Sequence, residues 1–211
     1  MTITKYGHCC LLIEVNGLRI LTDPGSYSTV PEDLGRVDVV LISHDHADHI
    51  HVETLKKVIA VNPLVVIYTN PSVGKLLGEA GIEYETLVNG GSVGIQGIQI
   101  TAHGTQHAEM HPDWPGTENT SYFIAERLFY PGDAWTNPGS PVEILALPTA
   151  GPWMKLADAV EYAKTIRPKI CFPVHDGILK QPGVTNTLPT KLLEPLGIAV
   201  RILEHAIPQE F

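Results

Sequence analysis

Within six residues, directly behind the almost wholly apolar run 37–43, the chain carries His44, His46, Asp48 and His49. A continuous apolar run of that length marks a strand buried on both faces, so four polar side chains leave the carboxyl end of an inner strand. Side chains two apart in an extended segment point the same way, which lets His44 and His46 converge on one point. Asp48 and His49, one turn further on, can face a second point nearby. Imidazole nitrogen and carboxylate oxygen suit Zn²⁺, Mn²⁺ or Fe²⁺, and the cluster holds no thiolate. With 10 His in 211 residues, such an arrangement arises by chance in roughly one chain in a thousand. An ordinary solvated loop is therefore a poor account of it.

The rest of the composition narrows the setting. A chain of 211 residues, 44% hydrophobic and 18% charged, fits one domain, residues 1–211, with a sizeable core. The formal net charge of -9 argues against a broad basic face for nucleic acid or anionic lipid. An anionic substrate would need a local cation such as bound metal. Cys9, Cys10 and Cys171 form no spaced disulfide framework and are expected as buried thiols in a reducing compartment. No stretch has the length and apolarity of a membrane span or the layout of a signal peptide. The expectation is a cytoplasmic protein with a small-molecule substrate and no nucleic-acid or membrane partner; a homo-oligomer is compatible with the sequence.

Periodicity predicts a hairpin over 9–15 and 18–22 around Asn16-Gly17, then strand 37–43, helix 52–61, strand 64–68 and helix 73–80. Short strands follow at 92–95, 98–102, 121–125 and 128–130. The chain closes with strand 142–147, helix 156–166, strand 169–174, a short helix near 190–196 and strand 199–203. Periodicity alone supports mixed α and β. Two sheets with helices packed outside them, a four-layer αββα sandwich of the α+β class, account for the order.

The string Ser43-His44-Asp45-His46-Ala47-Asp48-His49 resembles the H-x-H-x-D-H signature of the metallo-β-lactamase superfamily, in the form found in its ascorbate-phosphate lactonase-like branch. Tyr6-Gly7-His8, Leu21-Thr22-Asp23-Pro24-Gly25, Pro131-Gly132-Asp133 and Phe172-Pro173-Val174-His175 follow in the order that family shows. The resemblance implies two divalent metal ions, zinc or manganese first and iron as a further option. It implies that His44 and His46 bind the first metal, that Asp48 and His49 bind the second, that Asp133 bridges them, and that His175 completes the second site. For the third ligand of the first metal, His107 and His103 compete, and the family's spacing favours His107. Catalytic roles fall to Asp48, which would orient the nucleophile, and to Asp133.

Several positions carry two readings. Asp23 either orients a ligand histidine or forms the turn before Pro24. His8 either lies near the pocket or packs within the hairpin. Asp45 and Asp176 flank ligands without being expected to coordinate. The loop 108–119, with Glu109, His111 and Trp114, is either a substrate rim or plain surface, and the segment 148–154 could wall the pocket. His103, His111 and a metal-bound water are the options for protonating a leaving group.

The resemblance implies a metal-dependent hydrolase that uses a metal-activated hydroxide on a small ester, lactone or phosphoester. An iron-dependent oxidoreductase and a non-catalytic metal-binding protein of the same fold are the alternatives. Ala47 stands where flavin-coupled di-iron relatives usually carry Glu, which weighs against the former.

Overall fold

In the segment from Cys9 to Val15 every side chain except Glu14 is buried, so a sheet built from it must be covered on both faces. The computed structural model, which describes all residues Met1–Phe211, meets that demand with four layers. Sheet one runs β14 (Gln209–Glu210), β1 (Thr2–Lys5), β2 (Leu11–Val15), β3 (Leu18–Thr22), β4 (Val39–Leu41), β5 (Val66–Thr69), β6 (Glu85–Thr86). Sheet two runs β13 (Ala199–Val200), β12 (Ile170–Val174), β11 (Ile144–Pro148), β10 (Leu128–Tyr130), β9 (Ser121–Ile124), β8 (Ile98–His103), β7 (Ser92–Ile95). Each sheet is antiparallel in one half and parallel in the other.

Side chains alternate between two compartments, as strand geometry requires. Leu11, Ile13 and Ile20 join Ile100, Tyr122, Tyr130 and Phe172 in the layer between the sheets. Leu12 and Leu21 point the other way, onto helices α1 (Val52–Val61) and α2 (Pro71–Glu79), where they meet Leu55, Val58, Val73 and Leu77. Phe129, Leu145 and Leu147 likewise face α3 (Leu156–Ile166) and α4 (Gly183–Leu193). Each fully buried Leu or Ile stabilises by roughly 1.5–3 kcal/mol. A one-residue slip of a strand would exchange its two faces and misfit both layers. This is the αββα sandwich of the α+β class that the element order called for.

Differences from the sequence-based expectation are local. α2 starts at Pro71 because the Asn70 side chain accepts from the Val73 amide, a cap that propensity alone does not locate. α4 spans Gly183–Leu193 rather than 190–196, continuing through Pro189. Proline removes one helical rung; here the Thr187 and Thr190 hydroxyls donate to the carbonyls of Gly183 and Asn186, at 2.7 and 2.8 Å. The short strands β1, β6 and β14 carry little periodicity and exist through their pairing with neighbours. Cys9, Cys10 and Cys171 are buried free thiols. No helix is long and apolar enough to cross a membrane.

Candidate metal centre

The strand β4 ends at Leu41, and the chain beyond it is pinned before it turns. The buried Ser43 donates its backbone N–H to Asp23 Oδ1 at 2.7 Å and its hydroxyl to Oδ2 at 2.6 Å. His49 and Ile50 both donate their amides to the His46 carbonyl, at 2.9 and 3.0 Å. This single turn brings Asp48 and His49 round while Ile50 anchors the loop in the outer apolar layer. Gly25 lies against that turn so closely that an added Cβ would sit 1.8 Å from the Asp48 carbonyl oxygen.

Other strand ends supply the remaining groups. Asp133 follows β10, with its amide donating to Asn119 Oδ1 at 3.0 Å. His107 lies beyond β8, and His175 follows β12 with a φ of 60°, a left-handed conformation held against its local preference. Two four-membered sets result, with the ligand atoms of each within 4.8 Å of one another. One is His44, His46, His107 and Asp133; the other is His8, Asp48, His49 and His175. Asp133 joins the two: its Oδ2 lies 2.8 Å from His175 Nε2 and 3.3 Å from His107 Nε2, and its Oδ1 lies 3.3 Å from His49 Nε2.

His103 lies outside both sets. It packs edge-on against Phe123 and Phe129, and its Nε2 bonds the Thr101 hydroxyl at 2.8 Å. Of the two competing histidines, His107 is therefore the one that geometry places with His44 and His46. His8 is fully buried within the second set, closer to the site than either sequence reading required. Asp45 and Asp176 are occupied elsewhere, accepting from the Thr117 hydroxyl and from Lys5 Nζ, each at 2.5 Å.

Whether these residues suit a cation can be tested on their unpaired atoms. Nε2 of His49, His107 and His175 and Oδ1 of Asp133 are buried and have no hydrogen-bond partner. Such orphans are rare and costly in folded proteins, and four of them spread over the two sets call for positive charge. The opposite ring nitrogen is already used in His49, His44 and His107, while His175 Nδ1 is also without a partner. His49 Nδ1 donates to Asp23 Oδ2 at 2.6 Å, His44 Nδ1 to Ser43 Oγ at 3.0 Å and His107 Nδ1 to the Ala108 carbonyl at 2.5 Å. Each bond places the proton of the neutral ring on Nδ1 and leaves the Nε2 lone pair free for a metal.

Charge agrees with this arrangement except at His49, where burial opposes charge but Asp133 and Asp23 raise the pKa well above the usual value, so that a metal must displace a proton there. Burial, then the neighbouring His49, keeps His44 neutral by holding its pKa well below the usual value, and burial followed by His107 lowers that of His46. Burial acts against ionising Asp48, but the bond from His8 and the nearby His49 overcome it and hold the carboxyl down at about 2. Burial is likewise overridden at Asp133, where His49 and His175 keep the carboxylate well below its usual range. Neutral imidazoles and ionised carboxylates are the forms that bind divalent ions.

Sequence reasoning missed Ser43 and Tyr130. The Tyr130 hydroxyl reaches across the inter-sheet layer to donate to Asp23 Oδ2 at 2.5 Å, a contact without any local signal. Asp23 thus orients His49, the first of its two readings. Trp153, from the segment 148–154, lies edge-on to both His107 and His175 with ring centroids 5.7 Å from each, and its buried Nε1 has no acceptor in the protein. A cavity of about 220 Å³ opens between His46, His107 and the loop carrying Glu109, His111 and Trp114. Larger cavities, of about 520 and 670 Å³, are lined by residues that include none of the cluster.

Fold and cluster together define a metal-binding protein of the sandwich type, and residues 2–175 match the model of the β-lactamase superfamily domain; the chain belongs to that superfamily. A protein of Mycobacterium tuberculosis is 36% identical over 184 residues, 85% of each chain. A UPF0173 metal-dependent hydrolase of Methanocaldococcus jannaschii is 27% identical over 99% of both chains. Among solved structures, a metallo hydrolase of Ignicoccus hospitalis superposes with a TM-score of 0.77 at 21% identity, over 100% of this chain and 98% of that one, a likeness of fold.

Proposed function

We propose that this chain is a two-metal hydrolase acting on a small ester, lactone or phosphoester. The carrying observation is the set of orphaned, buried ligand atoms on His49, His107, His175 and Asp133, joined to the position of Asp133, a member of one ligand set whose oxygens lie 2.8 and 3.3 Å from His175 and His49 of the other. His44, His46 and His107 would hold the first ion, Asp48, His49 and His175 the second, with Asp133 between them. Zinc or manganese suits this donor set, and iron is the further option. When bound, such ions lower the pKa of water from about 15.7 towards about 7 and polarise a carbonyl or phosphoryl oxygen.

The protein's own groups divide the remaining work by exposure. The Asp133 side chain is 2% exposed and Asp48 22%. Asp133 would therefore set the spacing of the centre from its buried side, while Asp48, the more exposed of the two, would orient an attacking water. The cavity beside His46 and His107 holds no Lys or Arg among its lining residues. Negative charge on a substrate would be met by the metals alone. At about 220 Å³ the cavity falls below the ~300–1,000 Å³ usual for ligand pockets, which favours a small substrate. Trp114, 63% exposed, and His111 line the cavity, which supports His111, beside a metal-bound water, as a donor to a leaving group.

Metal analysis of the purified protein, paired with turnover on lactones, phosphomonoesters and phosphodiesters with and without chelator, tests this reading. About two metals per chain and chelator-sensitive turnover are expected, and Asp48→Ala should abolish the turnover. No bound metal after reconstitution, or full activity in Asp48→Ala, would refute the proposed centre.

A further inference from the structure

His8 sits inside the second ligand set, and its ring is held in the opposite sense to the others. The Gly177 amide N–H points at His8 Nδ1 from 3.1 Å. A backbone amide can only donate, so Nδ1 must accept and cannot carry a proton. In the neutral ring the proton then lies on Nε2, which is 3.1 Å from Asp48 Oδ2. As neutral rings, His44, His49 and His107 place their proton on Nδ1 and present a bare Nε2; His8 presents a proton instead. A metal at His8 Nε2 would require both ring nitrogens to be deprotonated.

We propose that His8 is a positioning residue of the second metal site rather than one of its ligands: its Nε2–H holds the Asp48 carboxylate by one oxygen. The inference rests on the two-metal reading above. It extends that reading by separating, among four histidine and carboxylate groups at one site, the one that orients from the three that coordinate.

The surroundings of His8 make this tautomer a property of the fold. Its carbonyl accepts the His175 amide at 3.0 Å, so the loop between β1 and β2 is zipped to the segment after β12 on both sides of the ring. Gly177 is what allows the approach: a Cβ there would fall 3.0 Å from His8 Cβ and 3.1 Å from its Cα. The ring is fully buried, with its centroid 4.0 Å from that of His175 and 5.5 Å from that of Tyr27. Turning the ring over would set carbon against the Gly177 amide and against Asp48 Oδ2, and both bonds would be lost.

The test is nitrogen-15 NMR of the histidine rings in the zinc-loaded and metal-free protein, with the His8 signals identified by their loss in His8→Gln. A proton on Nε2 and a bare Nδ1 are expected in both states. A protonated Nδ1 with zinc on Nε2 would overturn the assignment. Zinc competition against a chelator supplies the second readout. His8→Gln, whose amide N–H can replace Nε2–H, should keep second-site affinity within a few fold. His8→Ala should lose about 10–100-fold, the usual cost of removing an outer partner, while the first site keeps its affinity. Equal loss in the Gln and Ala variants would refute the positioning role. If zinc fails to bind at all, the two-metal reading falls, while the metal-free spectrum still decides the tautomer.

Discussion

Asp23→Asn isolates how one buried carboxylate sets the chemistry of a histidine 26 positions away. Asp23 is fully buried and accepts four hydrogen bonds. Oδ1 takes the Ser43 amide, while Oδ2 takes the Ser43 hydroxyl, His49 Nδ1–H and the Tyr130 hydroxyl. An asparagine keeps the shape, and it also tolerates the φ of 35° at this position. Its orientation is forced, because the Ser43 amide can only donate and must face the amide oxygen. The NH₂ group then replaces Oδ2 and meets three donors. The two hydroxyls can rotate, and Tyr130 keeps the Cys9 carbonyl at 3.1 Å. His49 can relieve the clash only by giving up the Nδ1 proton and keeping one on Nε2, which blocks the lone pair intended for the metal.

The magnitude follows by two routes. Restoring the metal-binding tautomer sets two donors face to face in the interior, at a cost of about 1–3 kcal/mol. Loss of an outer-sphere partner typically weakens metal binding by about 10–100-fold, or about 1.4–2.8 kcal/mol. Zinc competition with a chromophoric chelator should therefore show one site unchanged and the other weakened by 10–100-fold, with urea unfolding of the metal-free variant confirming a folded protein. Two sites of undiminished affinity in folded Asp23→Asn would refute the tautomer argument.

Three further outcomes are expected. His107→Ala should lose the first metal, whereas His103→Ala should bind metal normally and lose about 1 kcal/mol of packing against Phe123 and Phe129; inductively coupled plasma analysis and thermal melts separate the two, and metal loss in His103→Ala would reverse the ligand assignment. In the metal-free protein burial opposes charge on His49, but Asp133 and Asp23 raise its pKa well above the usual value. His49 is then protonated at neutral pH and zinc must displace that proton, so affinity should rise with pH up to the raised pKa; calorimetry in buffers of different ionisation heat would contradict this by showing no proton release. Gly25→Ala places a Cβ 1.8 Å from the Asp48 carbonyl oxygen, backbone against backbone with no flexible side chain to yield, and should cost about 3 kcal/mol or more; an unchanged denaturation midpoint would show that the loop moves freely.

The amino-acid sequence by itself determined what depends on near neighbours. The apolar run 37–43 followed by His44, His46, Asp48 and His49 needs only strand alternation and one turn to become half of a metal centre. The hairpin around Asn16-Gly17 and helices α1 and α3 were legible for the same reason, since period and turn chemistry act over a few residues. Asp133, His107 and His175 stood out through their order along the chain and their places after predicted strands. Nothing local says that the three meet.

Tertiary structure decided the rest, because hydrogen-bond partners and exposure are set by segments far apart in the chain. Whether His103 or His107 faces the cluster depends on where the Phe123 and Phe129 rings of sheet two lie. The Asp23 hub draws Tyr130 across the inter-sheet layer, and β1 and β14 become strands by pairing the two ends of the chain. The tautomer of His8 is set by an amide 169 residues away. A histidine's place in the sequence supplies two ring nitrogens; only the groups packed against each one decide which holds a proton and which is left for metal.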